Sequence, residues 1–192
     1  MKKTLLTLFL LITTIASSAQ LVDDKYVIHF GNPEAPNVVR EYISFECLQC
    51  VKLFKEDFDS IEREYITSDE FRWEFCLIPT DITTLKAMVC LEQLSEEEKL
   101  VFLYGIWSEV PLDHLGDMSI LMVRAMDYFE KPLSDLNDYE FIMQHPILEE
   151  SFRYQAQKDR IVAVPTMEYK GIIYREEIPN KIFIDSILRG TK

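Results

Sequence analysis

Apolar positions alternate with polar ones along the early part of the chain, and the period then changes at a single point. Lys25 to Phe30 reads as a short strand, and the turn-rich run Gly31-Asn32-Pro33-Glu34-Ala35-Pro36-Asn37 separates it from the next element. Val38 to Phe45 reads as a second strand, with Val39, Glu41, Ile43 and Phe45 on one face because side chains alternate along a strand. From Cys47 the period becomes helical. Cys50, Phe54, Phe58, Ile61 and Tyr65 follow at spacings of four, four, three and four, the stripe of a buried helix face. This puts Cys47 at the helix start and turns Cys50 inward. Phe71 to Ile78 alternates again, with Phe71, Trp73, Phe75 and Leu77 on one side, and Pro79 ends it.

From Asp81 to Arg160 the pattern favours helix, with breaks near Pro111, Gly116, Pro132 and Pro146. Thr166 to Tyr169 and Ile172 to Tyr174 then predict a hairpin around Lys170-Gly171, and Pro179 opens a last amphipathic helix with Ile182, Ile187 and Leu188. Outside the helical block the order is β, β, α, β, then β, β, α. That is an α/β unit of about 93 residues, the size of a small domain, interrupted by an all-helical insertion at 81–160.

The first nineteen residues stand apart from this plan. Met1-Lys2-Lys3 is positive, Leu5 to Ile15 is apolar but for Thr, and Ala16-Ser17-Ser18-Ala19 offers a small-residue cleavage site, the pattern of a secretory signal peptide. The apolar run is shorter than the roughly 20 residues that span a bilayer. The expected organisation is therefore a leader at 1–19, a core made of 20–80 and 161–192, and the insertion at 81–160. The expected location is a soluble exported protein in an oxidising compartment, most simply the periplasm.

The whole chain of 192 residues has 20 Lys+Arg against 33 Asp+Glu, a net charge of −13. Removing residues 1–19 takes away Lys2 and Lys3 and no acid, leaving 18 Lys+Arg against 33 Asp+Glu, or −15. A phosphate backbone would be repelled, so a nucleic-acid partner is not expected.

The chemistry concentrates in Cys47-Leu48-Gln49-Cys50. A sulfur at the start of a helix sits beside free N–H groups and the positive end of the helix dipole, so the Cys47 thiolate is favoured and becomes the accessible nucleophile. Cys50, one turn on and buried, is the resolving thiol. The same spacing also admits an inert disulfide, or half of a zinc site completed by Cys76 and Cys90. Those two are thirteen residues apart and do not form a second Cys-x-x-Cys, and a strand followed by a helix-initial pair is the redox context.

The run from Gly31 through Glu46 to Cys50 resembles the opening of DsbA-type thiol:disulfide oxidoreductases, and Val164-Pro165-Thr166 resembles their cis-proline loop. The likeness extends over essentially the whole chain after the leader. It implies a thioredoxin fold with an inserted helical domain. It also implies a cis peptide at Val164-Pro165 packed against the active-site disulfide, with the Val164 backbone pairing with substrate as an added strand.

The resemblance gives Glu41 a role as well. An acid six residues before the first Cys is found in thioredoxin-like proteins as a buried group of raised pKa that relays the proton of Cys50; the other reading is an edge carboxylate reaching solvent. The chain departs from the strongly oxidising members at Leu48-Gln49, where they carry Pro and His, and Glu46 adds a negative charge directly before Cys47. Both changes weaken thiolate stabilisation, so the disulfide is expected to be less oxidising than the roughly −120 mV of DsbA, nearer about −200 mV.

Cys76 and Cys90 are expected to form a second disulfide joining the insertion to the core, with two buried free thiols as the alternative. His29, His114 and His145 match no ligand or triad spacing. Met118, Met122 and Met126 repeat every four residues, as helix core does, although flexible methionines could also hold unfolded substrates. Glu96-Glu97-Glu98 marks a solvated helix start after Ser95.

Together these features point to a protein that introduces disulfides into exported proteins by exchange at Cys47 and Cys50, without a metal or organic cofactor. Reduced or misoxidised exported proteins would be its substrates, and a membrane redox partner would recharge it. The alternatives are a reductase or isomerase of the same fold, or a chaperone-like binder with little redox activity.

Overall fold

The computed structural model describes residues 22–115, 118–150, 161, 163–175 and 180–190; the leader read in residues 1–19 lies outside them. Asp24–Tyr26 form a 3-10 turn where the sequence predicts strand, because the Asp23 side chain caps it by accepting from the Lys25 N–H. Strand β1 then spans Val27–Phe30, and β2 spans Asn37–Ile43. Helix α1, Leu48–Ile61, runs into a π turn at Glu62–Ile66, and β3 spans Phe71–Leu77. Between β3 and the next strand lie α2 (Ile82–Leu91), α3 (Glu96–Glu109), α4 (Ser119–Tyr128) and α5 (Tyr139–Gln144). Strands β4 (Thr166–Tyr169) and β5 (Ile172–Tyr174) form the predicted hairpin, and α6 spans Lys181–Arg189.

The five strands form one sheet in the order β1-β3-β2-β4-β5. Strands β2 and β3 are parallel, which requires a crossover, and α1 supplies it; the other three pairings are antiparallel. The odd positions of β2 and β3 face α1. Phe58 packs on Phe75 and Trp73 with ring centroids 5.1 and 5.9 Å apart, and Phe54 meets Tyr104 and Trp107 of α3 at 4.7 and 5.4 Å. The helices between β3 and β4 thereby share one apolar core with the sheet and α1.

The even positions carry charge on the opposite sheet face. Register sets His29, Glu74, Arg40 and Glu168 side by side across β1, β3, β2 and β4. Arg40 Nε donates to Glu74 at 2.8 Å, Arg72 also pairs with Glu74, and the Tyr42 hydroxyl donates to Glu168 at 2.7 Å. Alternating signs directly opposite one another make this ladder favourable.

The reading of the last helix is corrected. Asn180 caps α6 through its side chain, which accepts from Phe183 N at 3.0 Å, and Pro179 lies outside the described residues. Ile182 is 81% exposed, and the buried contact of α6 is Ile184. Met118, Met122 and Met126 are wholly buried, as the four-residue spacing of a helix core predicts. Glu98 follows Ser95 in a capping box, as the acidic run suggests.

Candidate active site

Strand β2 delivers the chain to the site, and α1 holds it there. After Ile43 the loop Ser44-Phe45-Glu46 turns, with Cys47 N–H donating to Ser44 O at 3.1 Å, and Cys47 becomes the N-cap of α1. A cap is usually a hydroxyl or carboxylate oxygen that accepts from an orphan N–H of the first turn. Here the acceptor is the Cys47 sulfur, 3.2 Å from the Cys50 N–H. Cys47 and Cys50 are joined as a disulfide with their Cα atoms 5.3 Å apart. Cys47 is half-buried and Cys50 fully buried, so the first sulfur alone can be reached from outside. Leu48 is exposed beside it, and Gln49 is half-buried.

A second segment reaches the same end of the sheet through β4. Strand β4 runs antiparallel to β2 with Thr166 beside Tyr42, so the residues entering β4 stand at the end of the sheet where β2 leaves for Cys47. Those residues include Val164-Pro165, whose peptide bond is cis, and the buried Thr166 hydroxyl closes the turn by donating to Ala163 O at 2.7 Å. One hundred and more residues of sequence thus separate two segments that the sheet register brings to one end.

Glu41 lies on the α1 face of β2 and is 1% exposed, which overturns the reading of an edge carboxylate reaching solvent. Its Oε2 accepts from Trp73 Nε1 at 3.1 Å, while Oε1 meets no hydrogen-bond partner among the described residues. Burial pushes the Glu41 carboxyl up to about 8, against a smaller lowering by the indole N–H. The Glu41 carboxyl is therefore buried on the face that packs against the helix carrying Cys50, and it holds its proton at neutral pH.

The loop before Cys47 is tied to α2 in a way that sequence reading missed. Ser44 Oγ donates to Asp81 at 2.6 Å, Phe45 N–H donates to Thr84 Oγ1 at 2.8 Å, and Thr83 Oγ1 donates to Glu46. Asp81 also caps α2 by accepting from Thr84 N at 2.7 Å. The Asp81-x-x-Thr84 capping pattern is the signal that could have found the helix start; the link to the loop depends on tertiary placement.

The expected Cys76–Cys90 bridge is not formed: both cysteines are free and buried. Cys76 occupies an even position of β3, on the face that bears Arg40, Glu74 and Glu168, whereas Cys90 is buried in α2. Burial raises both thiols, Cys90 to about 12 and Cys76 further, with Glu74 adding to the rise at Cys76. Such thiols stay protonated and inert.

The histidines serve structure. His29 faces Glu74, the His145 Nδ1 accepts from Ile147 N–H at 3.1 Å, and His114 stands exposed beside Asp113. Among the described residues, no three His, Cys, Asp or Glu side chains gather as a metal-binding cluster. Nor is any helix among them long and apolar enough to cross a membrane.

The family described as thioredoxin matches residues 23–184. The oxidised crystal structure of BdbD from Bacillus subtilis is similar, with a TM-score of 0.66 at 13% identity over 88% of this chain and 94% of that one. The α-DsbA1 of Wolbachia pipientis has a TM-score of 0.63 at 19% identity, covering 88% and 92% of the two chains. DsbA of Chlamydia trachomatis gives 0.61 at 14% identity, with 88% and 93% covered. No curated protein sequence matches.

Proposed function

Because the chain belongs to the thioredoxin family and has the fold of the DsbA proteins, we propose that it is a thiol:disulfide oxidoreductase that introduces disulfides into exported proteins in the periplasm. The observation that carries this reading is the Cys47 sulfur serving as the cap of α1 while Cys50 is sealed beneath it. The accessible sulfur is the one whose thiolate the helix stabilises, so it is both the point of attack and a good leaving group.

In the oxidising direction a substrate thiolate attacks Sγ of Cys47. The Cys47–Cys50 bond breaks, and Cys50 leaves as a thiolate that takes up a proton. Glu41, protonated at neutral pH and buried under α1, is the group we assign to deliver it. A second thiolate of the substrate then attacks the substrate sulfur of the mixed disulfide and releases the Cys47 thiolate. The substrate loses two electrons to its new disulfide, and the Cys47/Cys50 pair gains them. During the mixed-disulfide stage the Val164 backbone pairs with the substrate as an added strand beside Pro165 and Thr166. A membrane redox partner restores the disulfide.

A second reading, reductase or isomerase, draws on Glu46 and on the absence of a cationic residue at Leu48-Gln49, which favour a less oxidising pair. Mixing the oxidised protein with a reduced two-cysteine peptide tests the first reading. Stoichiometric peptide oxidation that disappears in Cys47→Ala is the expected result. Failure to oxidise the peptide, together with rapid insulin reduction in dithiothreitol, would favour the second.

A further inference from the structure

We infer that Thr83, in the first turn of α2, is a positioning residue for the redox site: it holds the Glu46 carboxylate against the loop that carries Cys47 and so sets how readily that thiol ionises. The inference rests on Cys47 being the attacking thiol, as proposed above.

Three consecutive loop residues are each bonded to the start of α2: Ser44 to Asp81, Phe45 to Thr84 and Glu46 to Thr83. Helix capping explains only one partner, because the Asp81 carboxylate alone accepts from the helix N–H. Ser44, Thr83 and Thr84 are all buried, and buried hydroxyls are costly unless paired. Their pairing fixes the backbone between Ile43 and Cys47, which is also pinned by Ile78 N–H donating to Ile43 O at 2.8 Å.

The consequence for Cys47 is electrostatic. A carboxylate free at the surface would turn toward water, where its field on a neighbouring sulfur is screened. Glu46 is half-buried and its carboxylate is tied to a buried hydroxyl, so its charge is fixed in one place at the start of α2, on the residue directly before Cys47. The other charged side chains on the framing elements are spoken for or farther along. Asp81 is held by the hydroxyls of Ser44, Thr80 and Thr84, and Lys86 is bonded to Ser119 Oγ at 2.9 Å. Lys52 stands five residues after Cys47 in α1, and Glu41 lies on the α1 face of β2 and is protonated at neutral pH. Thus α2, the leading helix of the inserted block, opposes the stabilisation that α1 gives to the thiolate.

The test is the pH dependence of Cys47 alkylation in the fully reduced protein, followed by mass spectrometry of the peptide that contains it. Glu46→Gln should move the midpoint down by about half to one pH unit, a threefold to tenfold change in the ionisation constant. Thr83→Val should move it in the same direction, and Thr83→Ser should restore it. The double variant Glu46→Gln/Thr83→Val should shift no further than Glu46→Gln alone. Should Thr83→Val fold poorly, Glu46→Asp withdraws the carboxylate from an intact Thr83 and should also lower the midpoint. An unmoved midpoint in Thr83→Val, in Glu46→Asp, or a double variant whose shift is the sum of the singles would overturn the inference. Because no substrate is oxidised or reduced in this measurement, its outcome is independent of whether the protein acts as an oxidase.

Discussion

Trp73 and Glu41 are bonded diagonally across the parallel pair β2–β3: register sets Val39 opposite Trp73 and Phe75 opposite Glu41, yet the indole N–H reaches Glu41 Oε2 at 3.1 Å. The indole donates one hydrogen bond to a carboxyl that otherwise sits among apolar side chains. That single donor is too little to keep the group ionised, and burial wins.

A pH signature follows. The folded-state pKa of Glu41 is about 8, above the ordinary 4.5, so the folded protein keeps a proton that the unfolded chain releases. The contribution to stability is whole below about pH 4.5 and is lost as pH rises through about 8, by at most a few kcal/mol. Urea titrations of wild type and Glu41→Gln should therefore diverge as pH increases from 5 to 9, with the variant gaining relative stability. Stopped-flow thiol exchange should meanwhile be slower in the variant at neutral pH. Parallel pH curves and unchanged exchange would remove Glu41 from the proton path.

Glu74 should behave in the opposite sense. Burial acts to raise its carboxyl, but His29, 3.6 Å away, and the Arg40 and Arg72 guanidinium groups outweigh it and hold the pKa at about 2. This stabilisation is present above the ordinary carboxylate pKa and is lost as pH falls toward about 2. It is on the order of 2 kcal/mol. Glu74→Gln should lower thermal stability at pH 7 and flatten the acid limb between pH 5 and 2, as read by circular dichroism.

The two remaining cysteines give a simple count. Alkylation of the oxidised protein in guanidine without reductant should modify two thiols, in the peptides containing Cys76 and Cys90, and the same reagent should leave both untouched in the native state. A count of zero in guanidine would restore the bridge.

Much of the site was legible because it is local. The change of period at Cys47 announces strand, turn and helix within a few residues, and the hairpin 166–174 follows from Lys170-Gly171, both with positive φ. The burial of Glu41 follows from strand alternation. Pairing of Cys76 with Cys90 failed as a reading because an even cysteine count carries no geometry, although alternation already placed Cys76 on the face of Arg72 and Glu74. The clamp from α2 onto the loop was invisible, since nothing in Ser44-Phe45-Glu46 says which distant element will approach. The start of α6 was misplaced because proline and asparagine both open helices, and the side-chain cap of Asn180 decided the position.

Gly31 illustrates a backbone constraint that the turn-rich composition conceals. Its φ is +96°, and a Cβ there would meet Ile66 Cγ2 at 2.6 Å and the Phe71 carbonyl at 3.0 Å. Gly31→Ala should cost about 1–3 kcal/mol in chemical denaturation, with thiol exchange in the surviving folded fraction unaffected.

The sheet order also dictates when the protein can become complete as the chain is made, amino terminus first. Strand β2 lies between β3 and β4, so one of its edges stays unpaired until Thr166–Tyr169 arrive. During that interval the nascent chain displays Cys47 and Cys50 before the segment that will flank them exists, next to an open strand edge. A protein read as a donor of disulfides thus passes through a stage in which it is itself an unfinished client.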